Sequence, residues 1–247
     1  MSTTLDLTVL LTVYRRPHLR RQLDAVLGQS ISPSRVVVFQ NENHQRLPKL
    51  HLKRTGVDWV ANKRNTGYFG RFAYLLNAET KYVAVLDDDI IPGPRCLENY
   101  LDQAERLQAI IGGNGRIART NNEANSLNQP PDTGVRLEST LVDFVGHMWL
   151  FEKRFLYDMF SVSPFTTETG EDMHLCFSSK LRSGTKSFVA RQPSLEESCD
   201  ITENKLSSDA HASFRSTPKP LRESVETYFR KMGMNFISRD EQLLFSS

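Results

Sequence analysis

The stretch Leu7-Thr8-Val9-Leu10-Leu11-Thr12-Val13 is a nearly unbroken run of aliphatic and β-branched side chains. A strand with one wet face alternates polar and apolar residues, so a continuous run fits a strand buried on both faces of a parallel sheet. The run stops at Tyr14-Arg15-Arg16-Pro17, where Pro17 suits a first helical turn, and Leu19, Leu23, Val26 and Leu27 then recur at helical spacing until Gly28. Outward from there, Arg35–Gln40 repeats the buried-strand signature, and Val57–Ala61 and Lys81–Leu86 are a third and a fourth strand candidate. Between the last two, Tyr68–Ala78 places Phe69, Phe72, Leu75 and Leu76 on one helical face. Strands alternating with helices predict an α/β fold built on a parallel sheet.

Past Leu86 the alternation weakens. The pattern predicts a helix from about Pro94 to Leu107, a short apolar Ala109–Ile111, and a turn at Gly112-Gly113-Asn114-Gly115. Thr120–Gly134, rich in Asn and poor in apolar groups, reads as a surface loop and a candidate flap. Leu141–Val145, Met148–Phe151 and Lys186–Ala190 read as strand material, Glu171–Leu181 and Leu221–Phe229 as helices. From Arg191 to Pro220 the chain is polar, which implies a tail that wraps the domain or is partly disordered. The expected organisation is a single domain over 1–247, with a first half at 1–111, a second at 112–190 and a polar tail with a terminal helix at 191–247.

Thirty-one Lys and Arg against 29 Asp and Glu leave a net charge of +2, so no global excess argues for a nucleic-acid partner or an anionic surface. The apolar runs fall far short of the ~20 residues that span a bilayer. Asp6 interrupts the first apolar stretch and Arg15 closes it, unlike a cleaved signal peptide. Cys96, Cys176 and Cys199 match no zinc or redox spacing, which fits a reducing compartment. These features predict a soluble, cytoplasmic protein without a transmembrane segment.

The sharpest chemical feature is Val83-Ala84-Val85-Leu86-Asp87-Asp88-Asp89-Ile90-Ile91-Pro92. Three carboxylates directly after a buried strand sit at the carboxyl edge of the sheet, where open α/β folds bind ligands. Their mutual repulsion calls for a compensating cation, and hard carboxylate oxygens suit Mg or Mn. In an extended segment Asp87 and Asp89 point to one side and Asp88 to the other, so Asp87 and Asp89 are the expected metal pair. The plainer reading is a solvated turn whose acids complement the dipole of the helix near Pro94.

The order of Thr8–Pro17, Asn65-Thr66-Gly67 before a helix, Asp87–Asp89, and Gly170-Glu171-Asp172 resembles the GT-A fold of nucleotide-sugar-dependent glycosyltransferases, especially family 2. A second resemblance is to the exostosin-like family 64, through Asp87–Asp89, Gly115-Arg116, Val145-Gly146 and Glu171-Asp172. Together these matches span about residues 7–190. The resemblance implies a GT-A, Rossmann-like, mixed and mostly parallel sheet flanked by helices. It implies transfer of a sugar from a nucleoside-diphosphate donor, UDP-linked by preference, to a hydroxyl of a glycan or glycoconjugate, with a divalent metal (Mn or Mg) as cofactor.

On that resemblance Thr12, Val13, Tyr14 and Arg15 become contacts to base and ribose, although Thr12 also reads as an ordinary strand residue. Arg64 and Asn65 touch the nucleotide and Arg71 reaches a phosphate from the following helix; Asn65 or Thr66 alternatively serves as a helix cap. Gln40-Asn41-Glu42-Asn43 stands where family 2 usually places an acid near the base. Asp87 and Asp88 belong to the donor site, with Asp87 and Asp89 on the metal. Asp172 is the expected general base of an inverting enzyme, with Glu171 as its alternative or as an acceptor-binding partner; a retaining enzyme of family 64 requires no dedicated base. His147 and Trp149 are acceptor-side candidates, Trp149 also fitting a core position. His147, His174 and His211 are candidate further metal ligands.

Two other functions share these acids. A metal-dependent phosphohydrolase or nuclease needs the same carboxylates and no sugar acceptor, although haloacid-dehalogenase-like phosphatases place Asp-x-Asp on the first strand. A non-catalytic nucleotide-sugar-binding module keeps donor binding without turnover.

Overall fold

The computed structural model describes residues 5–42, 56–118, 135–202, 206, 219–238 and 241. The loop expected at Thr120–Gly134, His211 and most of the polar tail beyond Thr202 lie outside them. Eight strands form one sheet: β1 (Leu5–Val13), β2 (Pro33–Gln40), β3 (Val57–Ala61), β4 (Tyr82–Leu86), β5 (Ile110–Arg116), β6 (Thr140–Val142), β7 (Phe144–Glu152) and β8 (Ser187–Val189). Their order is β3-β2-β1-β4-β7-β5-β8-β6. The β3-β2-β1-β4 side is wholly parallel; β7 joins it antiparallel, and β5 and β8 are again a parallel pair. This is the mixed, mostly parallel α/β sheet expected from the sequence.

Helices α1 (Leu19–Leu27), α2 (Phe69–Leu75), α3 (Cys96–Leu107), α4 (Arg154–Ser161), α5 (Glu171–Ser183) and α6 (Lys219–Lys231) flank the sheet. Each face of the central strands feeds a separate apolar layer. Val9, Leu11, Ala84 and Leu86 pack with α1 and α3 residues such as Leu23 and Tyr100, while Leu10, Val83 and Val85 pack with Phe72, Met159 and Phe177. Burial on both faces is what the unbroken run Leu7–Val13 requires.

Three local expectations are corrected, and one left open is decided for the described part of the tail. Gly112–Gly115 is not a turn but the interior of β5, and its glycines answer to close packing. A Cβ at Gly112 would lie 2.3 Å from Val145 Cβ, and one at Gly113 would lie 2.6 Å from Cys199 Sγ. Helix α2 begins at Phe69 with Tyr68 before it and no side-chain cap, so neither Asn65 nor Thr66 caps it. Helix α4 follows β7 where no helix was expected. The tail's first part, 191–202, wraps the domain: Gly93 N–H donates to Ser198 O (2.9 Å), Ile201 N–H donates to Ile91 O (3.0 Å), and Cys199 is buried. Among the described residues no helix is long and apolar enough to cross a membrane.

Candidate active site

The carboxyl ends of β1, β2 and β4 converge on one edge of the sheet, as the parallel pairing of Leu11 with both Val38 and Leu86 requires. The acidic triplet leaves β4 there in a turn, with Ile90 N–H donating to Asp87 O (3.2 Å). Gln22 of α1 pins that turn from below: its buried side-chain amide donates to Asp87 O (2.6 Å) and Ile90 O (3.0 Å). His147 of β7 completes the clamp, its backbone O accepting from Asp87 N–H at 3.0 Å.

Because the segment turns, the extended alternation does not apply. Asp88 and Asp89 both face the guanidinium of Arg16, which is only 6% exposed; Arg16 Nη1 donates to Asp88 Oδ1 and lies 2.9 Å from Asp89 Oδ2. Asp87 turns instead to Arg71. The reading of a solvated turn also fails, because Asp89 is buried and helix α3 starts seven residues later at Cys96. Burial pushes the Asp88 carboxyl up to about 7 despite Arg16, and burial together with Asp87 raises that of Asp89.

Arg71 is the centre of the site. It is 5% exposed, and its guanidinium donates to Asp87 Oδ1, to Glu171 Oε1 (3.0 Å) and to Thr12 Oγ1 (3.2 Å). Its planar fork lies 4.8 Å from the Trp149 ring and 5.3 Å from Phe72, so aromatic faces support it from beneath. Arg71 is thus engaged by carboxylates, and those charges raise its own pKa further despite burial. Burial and Asp172 raise the Glu171 carboxyl, outweighing Arg71.

Asp172 follows Glu171 at the head of α5. Its Oδ1 accepts the Met173 N–H (2.8 Å) and its Oδ2 accepts from Arg222 Nη2 of α6 (2.7 Å). Gly170 before it has φ +79, a conformation that glycine adopts at little cost. Chain segments distant in sequence therefore bring Thr12, Arg71, Asp87 and Glu171 into direct contact, with Asp88, Asp89 and Asp172 adjoining.

The loop before α2 is organised by Asn41 at the end of β2. Its Nδ2 donates to Asn65 Oδ1 (3.0 Å) and Gly67 O (3.1 Å), and its Oδ1 accepts from Thr66 N–H and Thr66 Oγ1 (both 2.8 Å). Asn65 donates in turn to Tyr14 Oη (3.3 Å), which joins this loop to the end of β1. Val13 is buried and contributes its backbone O to Asn41 N–H, while Arg64 is exposed at the surface. Arg15 is exposed, with φ 64, and lies 3.7 Å from Glu42.

Arg16, Asn41, Tyr68 and Arg222 escaped the sequence reading. Arg16 was visible beside Arg15, but the adjacent pair gave no sign of which arginine turns inward. Tyr68 lies near Glu171, Arg71 and Asp87, and burial raises its phenol. Trp149 is corrected to the core: it is buried against Phe72, and its Nε1–H donates to Val145 O (2.8 Å), so it cannot line an acceptor pocket. His174 is likewise buried, with its Nε2 2.9 Å from Met159 O and 3.1 Å from Val162 O. His147 has φ 67 and lies close enough to Asp89 to lower its pKa.

Among the described residues no three His, Cys, Asp or Glu side chains form a ready metal cage. The acids nevertheless fit a hard divalent cation, because Asp89 Oδ1 is buried without a hydrogen-bond partner beside Asp87 and Asp88. Magnesium-type sites use one or two protein carboxylates and leave the other positions to water and phosphate.

The structure is similar to that of S. aureus TarS residues 1–349, with a TM-score of 0.54 and 16% identity over 74% of this chain and 57% of that one. The same TarS fragment in complex with UDP gives 0.53 and 14%. A longer TarS structure gives 0.53 and 15%, with 36% of that chain covered. This chain thus spans little more than half of the shorter TarS fragment. No curated protein matches the sequence. The family described as "Glycosyltransferase like family 2" matches residues 6–232. With the GT-A architecture and the acid-lined sheet edge both present, the chain belongs to the glycosyltransferase-like family 2.

Proposed function

We propose that this chain transfers a sugar from a UDP-linked donor to a hydroxyl of a glycan or glycoconjugate, with inversion at the anomeric carbon and with a divalent cation, Mn or Mg, as cofactor. The observation that carries this reading is Arg71, which ties the triplet acid Asp87 to Glu171 at the head of the helix that bears Asp172. Acids suited to a metal-diphosphate and an acid suited to proton transfer thereby share one site. The UDP bound to the TarS fragment supports the choice of nucleotide.

Asp87 and Asp89 would hold the cation, which when bound supplies electrostatic stabilisation of the departing diphosphate. Thr12, Val13, Tyr14 and Asn65 surround the sheet edge where base and ribose would rest, and Arg64 and Arg15 present exposed cations beside it. Arg16 neutralises Asp88 and keeps the triplet turn closed. Asp172 takes the proton of the acceptor hydroxyl as its oxygen bonds to the anomeric carbon and the bond from that carbon to the phosphate oxygen breaks. Residues 1–111 supply most of the donor side, and 112–190 with α6 supply the acceptor side, where His147 lies at the rim.

Incubation with a panel of UDP-sugars, manganese and simple glycosides, with UDP release followed over time, tests this. The expected result is acceptor-dependent UDP release from at least one donor, greatly reduced in Asp172→Asn. Phosphoester cleavage without any acceptor requirement would instead support a phosphohydrolase.

A further inference from the structure

We propose that Arg222, carried by α6, is a positioning residue for the transfer reaction: it fixes the orientation of the Asp172 carboxylate. This rests on the reading of Asp172 as the general base. Both oxygens of Asp172 are engaged, Oδ1 by the Met173 N–H at 2.8 Å and Oδ2 by Arg222 Nη2 at 2.7 Å. The backbone contact comes with helix α5 itself. The second contact comes from a helix 50 residues further along the chain.

That helix is locked to α5. Val225 Cγ2 lies 3.2 Å from where a Cβ on Gly170 would be, so glycine at 170 lets α6 approach without displacing Val225. Phe229 packs edge-on against His174 (5.4 Å) and Phe177 (5.3 Å), and Tyr228 Oη donates to Ser163 O (2.9 Å). The Arg222 guanidinium itself lies 5.6 Å from the Phe144 ring. Its position is therefore set by packing on three sides rather than by the ion pair alone.

The two adjacent acids consequently have separate arginines: Glu171 pairs with Arg71 from α2, Asp172 with Arg222 from α6. Together the two contacts hold the plane of the Asp172 carboxylate. In the transfer step the acceptor proton passes to Asp172, the acceptor oxygen–anomeric carbon bond forms, and UDP leaves with the electron pair of the broken bond. Arg222 forms no bond in that step and holds the carboxylate in line, and misplacement by about 1 Å costs about 10²-fold in rate.

The test is steady-state kinetics of Arg222→Met, Arg222→Lys, Asp172→Asn and the double variant, with thermal midpoints measured alongside. Arg222→Met is expected to lower kcat about 10²-fold with the donor KM unchanged, and Arg222→Lys to recover part of that loss. In the Asp172→Asn background Arg222→Met should cost nothing further, since the two act as one unit. If Arg222→Met does not fold, Arg222→Lys and its cycle with Asp172→Asn carry the comparison. A parental kcat in Arg222→Met, or fully additive losses, overturns the positioning role. A fully active Asp172→Asn overturns the base reading beneath it, which an inactive Asp172→Asn beside an unaffected Arg222→Met does not.

Discussion

Arg71 Nη2 lies 3.0 Å from Glu171 Oε1, joining two helices whose contact residues are 100 positions apart. Both groups are nearly excluded from solvent. Removing the guanidinium would leave the buried Glu171 and the partly exposed Asp87 without their shared partner. Breaking a buried pair from one side typically costs about 3–5 kcal/mol. Arg71→Met is therefore expected to lower the urea midpoint by that equivalent and to abolish transfer. A near-parental midpoint would show that the clasp contributes little to the fold.

The same burial sets a pH dependence. Glu171 keeps its proton in the folded chain to about pH 7, against 4.5 for its ordinary value, because burial and Asp172 outweigh Arg71. Between those values the folded state binds more protons than the unfolded one. The Glu171 contribution is thus fully favourable below about 4.5 and is lost as pH rises to about 7, with a slope of at most about 1.4 kcal/mol per pH unit. Glu171→Gln should remove that component from the pH series of unfolding midpoints, and an unchanged slope would refute the assignment.

Gly170 has φ +79, and a methyl group there would press on Val225. The left-handed conformation alone costs a residue with a Cβ about 1–2 kcal/mol. Gly170→Ala should lower the thermal midpoint and displace α6, reducing kcat beyond what the stability loss explains. Retained kcat in a destabilised Gly170→Ala would show that α6 placement is not coupled to the reaction.

Much of this was legible in the sequence, and the parts that were not share a physical cause. Strands β1 and β4 announced themselves because burial on both faces writes apolar residues at nearly every position, as in Leu7–Val13 and Tyr82–Leu86. The triplet was equally plain, since acids after such a strand have few structural uses. Strand β5 was hidden because Gly112, Gly113 and Gly115 read as a turn, whereas they answer to side chains that only the fold brings near, such as Val145 and Cys199. The pairing of Asp88 and Asp89 with one arginine depended on a turn that alternation ignores. Trp149 carried the same aromatic signal whether in the core or in a pocket, and only its packing against Phe72 and Arg71 decides between them. Arg222 was illegible because a contact across 50 residues leaves no local pattern.

The central claim is that the acids gathered around Arg71 and Arg16 receive a metal-bound nucleoside diphosphate, and calorimetric titration of UDP with and without manganese tests it most directly. The account predicts that the parental chain binds UDP with manganese, that a chelator abolishes this binding, and that Asp89→Ala loses the manganese dependence while remaining folded. Failure of the parental chain to bind UDP with manganese or magnesium, or equal binding by Asp89→Ala with and without the metal, would contradict it.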